Sequence, residues 1–199
     1  GCWLERTLTL LAAQDMPVTL LSRHAEHRQR AEALALCHGL AIEALDELPP
    51  WEGPLRALAR LMHHHPHQRL LLCPVDMPGL TAAALQELRA AADGGGDGGP
   101  DGGPILLAHD GERLQPLLGV YPSSEPRRRH LATALAGGER RLQRWLEQQQ
   151  HQSVQLAGDA LRNLNHPADV ALFHTTQPHK LSAASVPITN PRWIGGRRG

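Results

Sequence analysis

Arg69-Leu70-Leu71-Leu72-Cys73-Pro74-Val75-Asp76-Met77-Pro78 is the stretch on which the fold turns. A short continuous apolar run that ends at Pro74 and Pro78 reads as a strand buried on both faces and followed by a stiffened turn. Upstream, Leu4, Leu8, Leu10 and Leu11 recur at helical spacing, Asp15-Met16-Pro17 breaks the pattern, and Val18-Thr19-Leu20-Leu21 reads as a strand. Residues 25–36 predict a helix closed by Gly39, and Leu40-Ala41-Ile42 a second strand. The loop Pro49-Pro50-Trp51-Glu52-Gly53-Pro54 then leads into a helix from Leu55 to Met62.

Downstream, Thr81 is the expected N-cap of a helix over Ala82–Ala92, and Asp93–Gly103, almost wholly Gly, Asp and Pro, reads as a flexible loop. Strands are expected at Ile105–Ala108 and Leu117–Val120, flanking the polar segment His109–Gln115. Helices follow at 127–136 and 139–148, with short strands near Val154 and Leu161. The alternation predicts an α/β fold: a Rossmann-like, mostly parallel sheet with helices on both faces and a mixed edge, as a single domain over residues 1–172. Residues 173–199 lack an apolar face and read as a disordered or non-native tail.

The chain has 199 residues, of which 41% are hydrophobic: enough for a core, too few for a membrane protein. Twenty basic and twenty acidic residues cancel, so no charge excess points to nucleic acid. No run of roughly 18 apolar residues and no signal-like amino terminus occurs, so we read the protein as soluble and cytoplasmic, without a membrane partner. Cys2, Cys37 and Cys73 form no CxxC pair and suit neither a disulfide framework nor a zinc knuckle. Lys180 is the single lysine, which removes nearly every candidate for a phosphate-gripping lysine.

Ligands of open α/β sheets bind outside the carboxyl ends of the strands, and Asp76 follows such an end. Its carboxylate suits Mg²⁺ held against substrate phosphates; equally, it suits an Asx turn or a helix cap. Asp46, beyond the strand near 40–43, fits a contact to a nucleotide base or ribose, but a solvated loop aspartate explains it as well. His109-Asp110-Gly111-Glu112-Arg113-Leu114-Gln115-Pro116 is dense in hydrogen-bonding side chains, as a ligand-binding loop or an exposed hairpin would be. Arg140 and Arg141 read as first-turn arginines of a helix, a placement that an anionic ligand would justify. His63-His64-His65 with His67 is set aside as a principal metal site, because consecutive histidines at a helix end diverge and no carboxylate stands at ligand spacing. The Gly-rich tract is no phosphate loop, since no strand feeds it and no GK[ST] follows.

Cys73–Pro78, His109–Pro116, Gly138-Glu139-Arg140-Arg141 and Asn163-Leu164-Asn165-His166-Pro167, in that order, with Asp46 before Gly53-Pro54-Leu55, resemble the molybdenum cofactor guanylyltransferases. The likeness covers about residues 1–172, and Asp110–Pro116 is its most specific part. It implies a Rossmann-like nucleotidyltransferase that joins the GMP part of GTP to the terminal phosphate of molybdopterin and releases pyrophosphate. It further implies that Asp76 binds Mg²⁺ and that Asp46 contacts guanosine, with Gly53 beside it. His109, Asp110, Arg113, Gln115, Pro116, Arg140, Arg141, Asn163 and Asn165 would hold the pterin. Other proteins of molybdenum cofactor biosynthesis and molybdoenzyme chaperones would be its partners.

Three departures stand out. The family opens with a strand and a loop of the form LAGGxSxRMGxDK, whereas this sequence resembles it from the following helix onward; the expectation is an amino-terminally incomplete chain or one without that phosphate grip, its sheet edges unpaired. Arg56-Ala57 stands where the family has Ala-Gly after Gly-Pro-Leu. The ending Ile194-Gly195-Gly196-Arg197-Arg198-Gly199 resembles the glycine loop only faintly, and without a lysine or a preceding strand it does not support circular permutation. The alternatives are a cytidylyltransferase of the same superfamily and a non-catalytic carrier of the cofactor.

Overall fold

The computed structural model describes residues 2–94, 102–157 and 161. Gly1–Asn163 form one compact unit, and the expectations for residues 173–199 and for Asn165 fall outside the described residues, as does that for Asn163.

Six helices and six strands make up the described fold. In chain order they are α1 (Trp3–Ala12), β1 (Val18–Ser22), α2 (Ala25–His38), β2 (Ile42–Asp46), α3 (Pro54–His64), β3 (Arg69–Leu72), α4 (Ala82–Gly94), β4 (Ile105–His109), β5 (Leu114–Pro122), α5 (Glu125–Ala136), α6 (Leu142–Leu146) and β6 (His151–Gln155). The α/β class, with helices on both faces, is as the sequence predicts; the antiparallel strand, β5, lies inside its sheet between β3 and β4 and not at an edge.

The pairing adds detail. β1 and β2 run parallel in a two-stranded sheet, while the other strands form a four-stranded sheet in the order β3-β5-β4-β6. β5 is antiparallel to both neighbours, because a tight turn returns the chain directly from β4, and β4 and β6 are parallel. Among the described residues β1 and β3 each pair on one side only.

Helix ends follow the local chemistry. α3 begins with Pro54, whose fixed φ suits a first turn, and Gly39 closes α2 at φ 62° in the left-handed region. Ser124 caps α5 by accepting the Arg127 N–H at 3.4 Å, and the Thr81 hydroxyl accepts from Ala84 N–H at 3.3 Å.

Strand alternation sorts the core into two sides. Ile105 and Leu107 of β4 pack with Leu55, Leu58 and Met62 of α3, Leu131 of α5 and Trp145 of α6. Ala108 and Leu118 face the opposite way, onto Leu85 and Leu88 of α4. Each fully buried leucine contributes about 1.5–3 kcal/mol. This two-sided burial explains why Ile105-Leu106-Leu107-Ala108 is continuously apolar.

Four boundaries differ from expectation. β2 starts at Ile42 and runs to Asp46, so this aspartate ends the strand instead of following it. β5 starts at Leu114, which leaves only residues 110–113 as a turn; Gln115 and Pro116 are strand residues. The helix expected over 139–148 shrinks to Leu142–Leu146 because the chain turns at Gly138 (φ 89°), so Arg140 and Arg141 precede it instead of occupying its first turn. Leu161 is buried in a 3₁₀ turn and not in a strand.

Candidate functional site

Register places the polar groups of the four-stranded sheet along one edge. Leu72, the end of β3, lies opposite Gly119, and His109, the end of β4, opposite both Leu114 and Gln155. The carboxyl ends of β3, β4 and β6 therefore share an edge with the start of β5. Asp76, His109, Gln115 and Gln155 all emerge there, the edge at which α/β sheets bind ligands.

Asp76 is half-buried in the turn after β3. The Cys73 thiol below it is pushed up to about 12, by burial first and by the Asp76 charge second. Asp110 anchors the 110–113 turn: its carboxylate accepts the N–H groups of Arg113 at 2.7 Å and Glu112 at 2.9 Å and the Gln115 amide at 2.8 Å. The Arg113 and Glu112 bonds lead in holding its pKa down at about 2, and the Gln115 bond adds to them. Asp110 thus shapes the loop, leaving its neighbours to face outward. His109 Nδ1 accepts the Gly111 N–H at 2.9 Å and lies 3.2 Å from the Gln155 side chain, a neighbour that sequence reading missed because 46 residues separate them. The Tyr121 hydroxyl donates to the Pro116 carbonyl and fixes the start of β5.

A second assembly surrounds the start of α3. Gly53, at φ 88°, turns the chain into the helix, and Glu52 beside it binds Arg56 Nε at 2.7 Å and Arg140 Nε at 2.9 Å. The Arg56 hydrogen bond, with the Arg140 and Arg56 charges behind it, lowers the Glu52 pKa. Gly53 and Arg140 are thereby brought together through Glu52, which sequence reading passed over. Glu139 accepts the N–H groups of Arg140 and Arg141 at 2.8 Å each, and these bonds lower its pKa.

Asp46, more than half exposed, pairs with Arg28 Nη1 at 2.9 Å. It borders a groove of about 480 Å³ between the two-stranded sheet and α3, with Leu45, Leu48, Arg56, Arg60 and His63 on its walls. That size suits a small-molecule ligand. Asp46 ends β2 of the two-stranded sheet, whereas Asp76 lies in the turn after β3 of the four-stranded sheet.

The histidine run behaves differently from expectation. α3 ends at His64, and His65 leaves helical geometry at φ −118° and ψ 68°, so the two rings stand 4.6 Å apart instead of diverging. A carboxylate is present as well: Glu43 of β2 lies 3.0 Å from His64 Nε2. Sequence reading missed it because the contact joins positions 21 residues apart. Burial chiefly, then the His64 charge, lowers the His65 pKa.

With this geometry in hand, comparison with known proteins assigns the class. Residues 1–154 match the MobA-like NTP transferase domain, and the chain belongs to that family. It is 36% identical over 127 residues to a molybdenum cofactor guanylyltransferase of Pseudomonas syringae, covering 61% of this chain and 58% of that protein. It is 31% identical over 135 residues to a probable molybdenum cofactor guanylyltransferase of Rhodopirellula baltica, covering 65% and 60%. The matches thus span less than two thirds of either relative's length. Among solved structures, molybdopterin-guanine dinucleotide biosynthesis protein A of Archaeoglobus fulgidus superposes with a TM-score of 0.57 at 18% identity, covering 84% of this chain and 82% of that one. The 2-C-methyl-D-erythritol 4-phosphate cytidylyltransferase of Thermus thermophilus gives 0.56 at 14%, covering 86% and 87%. These two likenesses establish a shared fold. No helix among the described residues is long and apolar enough to cross a membrane.

Proposed function

We propose that this chain carries out guanylyl transfer, joining the GMP part of GTP to the terminal phosphate of molybdopterin and releasing pyrophosphate. The observation that carries the reading is the 36% identity with the P. syringae guanylyltransferase. The reaction is an in-line displacement at the α-phosphorus: the pterin phosphate oxygen forms the new P–O bond, and the bond to the leaving pyrophosphate breaks. Protein groups need supply only alignment and charge neutralisation.

The donor set at Asp76 fits Mg²⁺, which takes one or two carboxylates and completes its shell with phosphate oxygens and water. When bound, the ion would neutralise charge that develops on the phosphates. Asp46, with Gly53 turning the chain beside the groove, is assigned to guanosine, and the groove's size supports this. Arg113, in the turn shaped by Asp110, and the flanking strand residues His109, Gln115 and Pro116, with Arg140 and Arg141, are assigned to the pterin. Asn163 and Asn165 are assigned with them on the resemblance of the Asn163–Pro167 motif to the family. The reading puts the protein in the cytoplasm, handing its product to molybdoenzyme chaperones and other cofactor-biosynthesis proteins.

Calorimetric titration with GTP and CTP, each with and without Mg²⁺, tests the assignment. GTP is expected to bind selectively and only with Mg²⁺, and Asp76→Asn to lose that binding while retaining the circular dichroism spectrum. Unchanged affinity in the variant would sink the metal assignment. Equal binding of CTP would favour cytidylyl transfer, and no nucleotide binding by a folded chain would favour a carrier of the pterin.

A further inference from the structure

Glu43, His64 and His65 offer three ligand atoms that all lie within 4.8 Å of one another, and His64 also borders the groove beside Asp46. The arrangement follows from register. Thr19 and Glu43 are cross-strand partners in the parallel pair β1–β2 and share a face of that sheet. The end of α3 lies against them: His64 Nε2 is 3.0 Å from Glu43 Oε2, and His65 Nε2 is 2.8 Å from the Thr19 hydroxyl. A metal on Nδ1 of His65 would leave the Thr19 bond intact, and an outer partner of that kind orients a ligating imidazole.

We propose that Glu43, His64 and His65 bind a divalent transition-metal ion of the zinc class, tying the carboxyl end of α3 to the β1–β2 sheet. Two imidazoles and one carboxylate are a donor set suited to zinc, with a fourth position left to water. Metal–ligand bonds of about 2.0–2.2 Å put tetrahedral ligands about 3.3 Å apart. The Glu43–His64 pair already has nearly this spacing, and side-chain rotation of roughly 1.5 Å draws the remaining ligand in. Glu43 and His64 are exposed, so the ion can enter from solvent. The site differs from the one at Asp76 in chemistry: it has nitrogen donors for a borderline-soft ion, where Asp76 has oxygen alone.

The test titrates the whole chain with Zn²⁺ calorimetrically and with Co²⁺ by absorption, whose ligand-field bands report four-coordination. One ion per chain is expected. Glu43→Gln and His65→Ala should each weaken affinity about tenfold or more, whereas the double variant of the neighbouring histidines, His63→Ala with His67→Ala, should bind like the parent. Circular dichroism confirms that each variant folds. Affinity unaffected by Glu43→Gln but lost with His63 and His67 would mean adventitious capture by surface imidazoles and would overturn the proposal, as would no binding by the parent chain. The outcome is separable from nucleotide binding, because Asp76→Asn should leave the Zn²⁺ titration unchanged.

Discussion

Replacing Gly119 with alanine should damage the sheet that aligns the candidate site. Gly119 sits on β5 opposite Leu107, where the β4–β5 register shifts between Leu107 and Ala108. A Cβ there would stand 2.3 Å from the Leu106 carbonyl oxygen, 3.0 Å from Leu107 Cδ2 and 3.3 Å from Leu107 Cα. The first and last are backbone atoms, so no rotamer change relieves the contact. Contact distance between carbon and oxygen is near 3.3 Å, so β4 and β5 must separate by about 1 Å in a close-packed interior. Overpacking of this kind costs about 3 kcal/mol. Gly39→Ala is the matched control: its φ of 62° is strained for alanine, but nothing lies within 4 Å, so about 1 kcal/mol is expected. Urea unfolding followed by circular dichroism measures both. A Gly119→Ala loss below about 0.5 kcal/mol, or one smaller than that of Gly39→Ala, would refute the steric reasoning.

Arg127, 6% exposed, donates to the carbonyls of Pro122 at 3.0 Å and Gly103 at 2.9 Å; Arg127→Lys cannot span both and should cost about 2 kcal/mol in the same assay. Asp110 has a folded-state pKa near 2 against 3.8 ordinarily, so its contribution to stability is complete above about pH 4 and is lost as pH falls towards 2. Asp110→Asn should therefore narrow its stability gap from the parent across that window, as urea midpoints at stepped pH will show. The Cys73 thiol, pushed up to about 12, should resist alkylation at pH 8 while exposed Cys37 reacts, which peptide mass spectrometry resolves.

The central strands were legible because apolar contact on both faces leaves a continuous apolar run, as in buried Ile105–Ala108; Leu70–Leu72, read as fully buried, are half-buried in the structure and pack against both sides of the core. Helix ends were legible where punctuation is strong, as at Gly39, Pro54 and Thr81. The division into two sheets was not, since strand pairing is a long-range property that hydrophobic patterning does not encode. The start of β5 was hidden because Gln115 and Pro116 are residue types that strands disfavour. Among candidate site residues, Asp76 and His109 stood out by following strands. Glu52, Glu43 and Gln155 did not, because each acquires its meaning from a partner distant in sequence: Arg140, His64 and His109.

Guanylyl transfer itself is measured most directly by incubating the chain with Mg²⁺, GTP and molybdopterin, following pyrophosphate release and identifying the pterin product by mass spectrometry. The account predicts a GMP-bearing pterin formed in equal amount to pyrophosphate, with CTP a poor substitute and Asp76→Asn inactive. A folded chain that binds Mg²⁺ and GTP yet forms no such product, or uses CTP equally well, would contradict it.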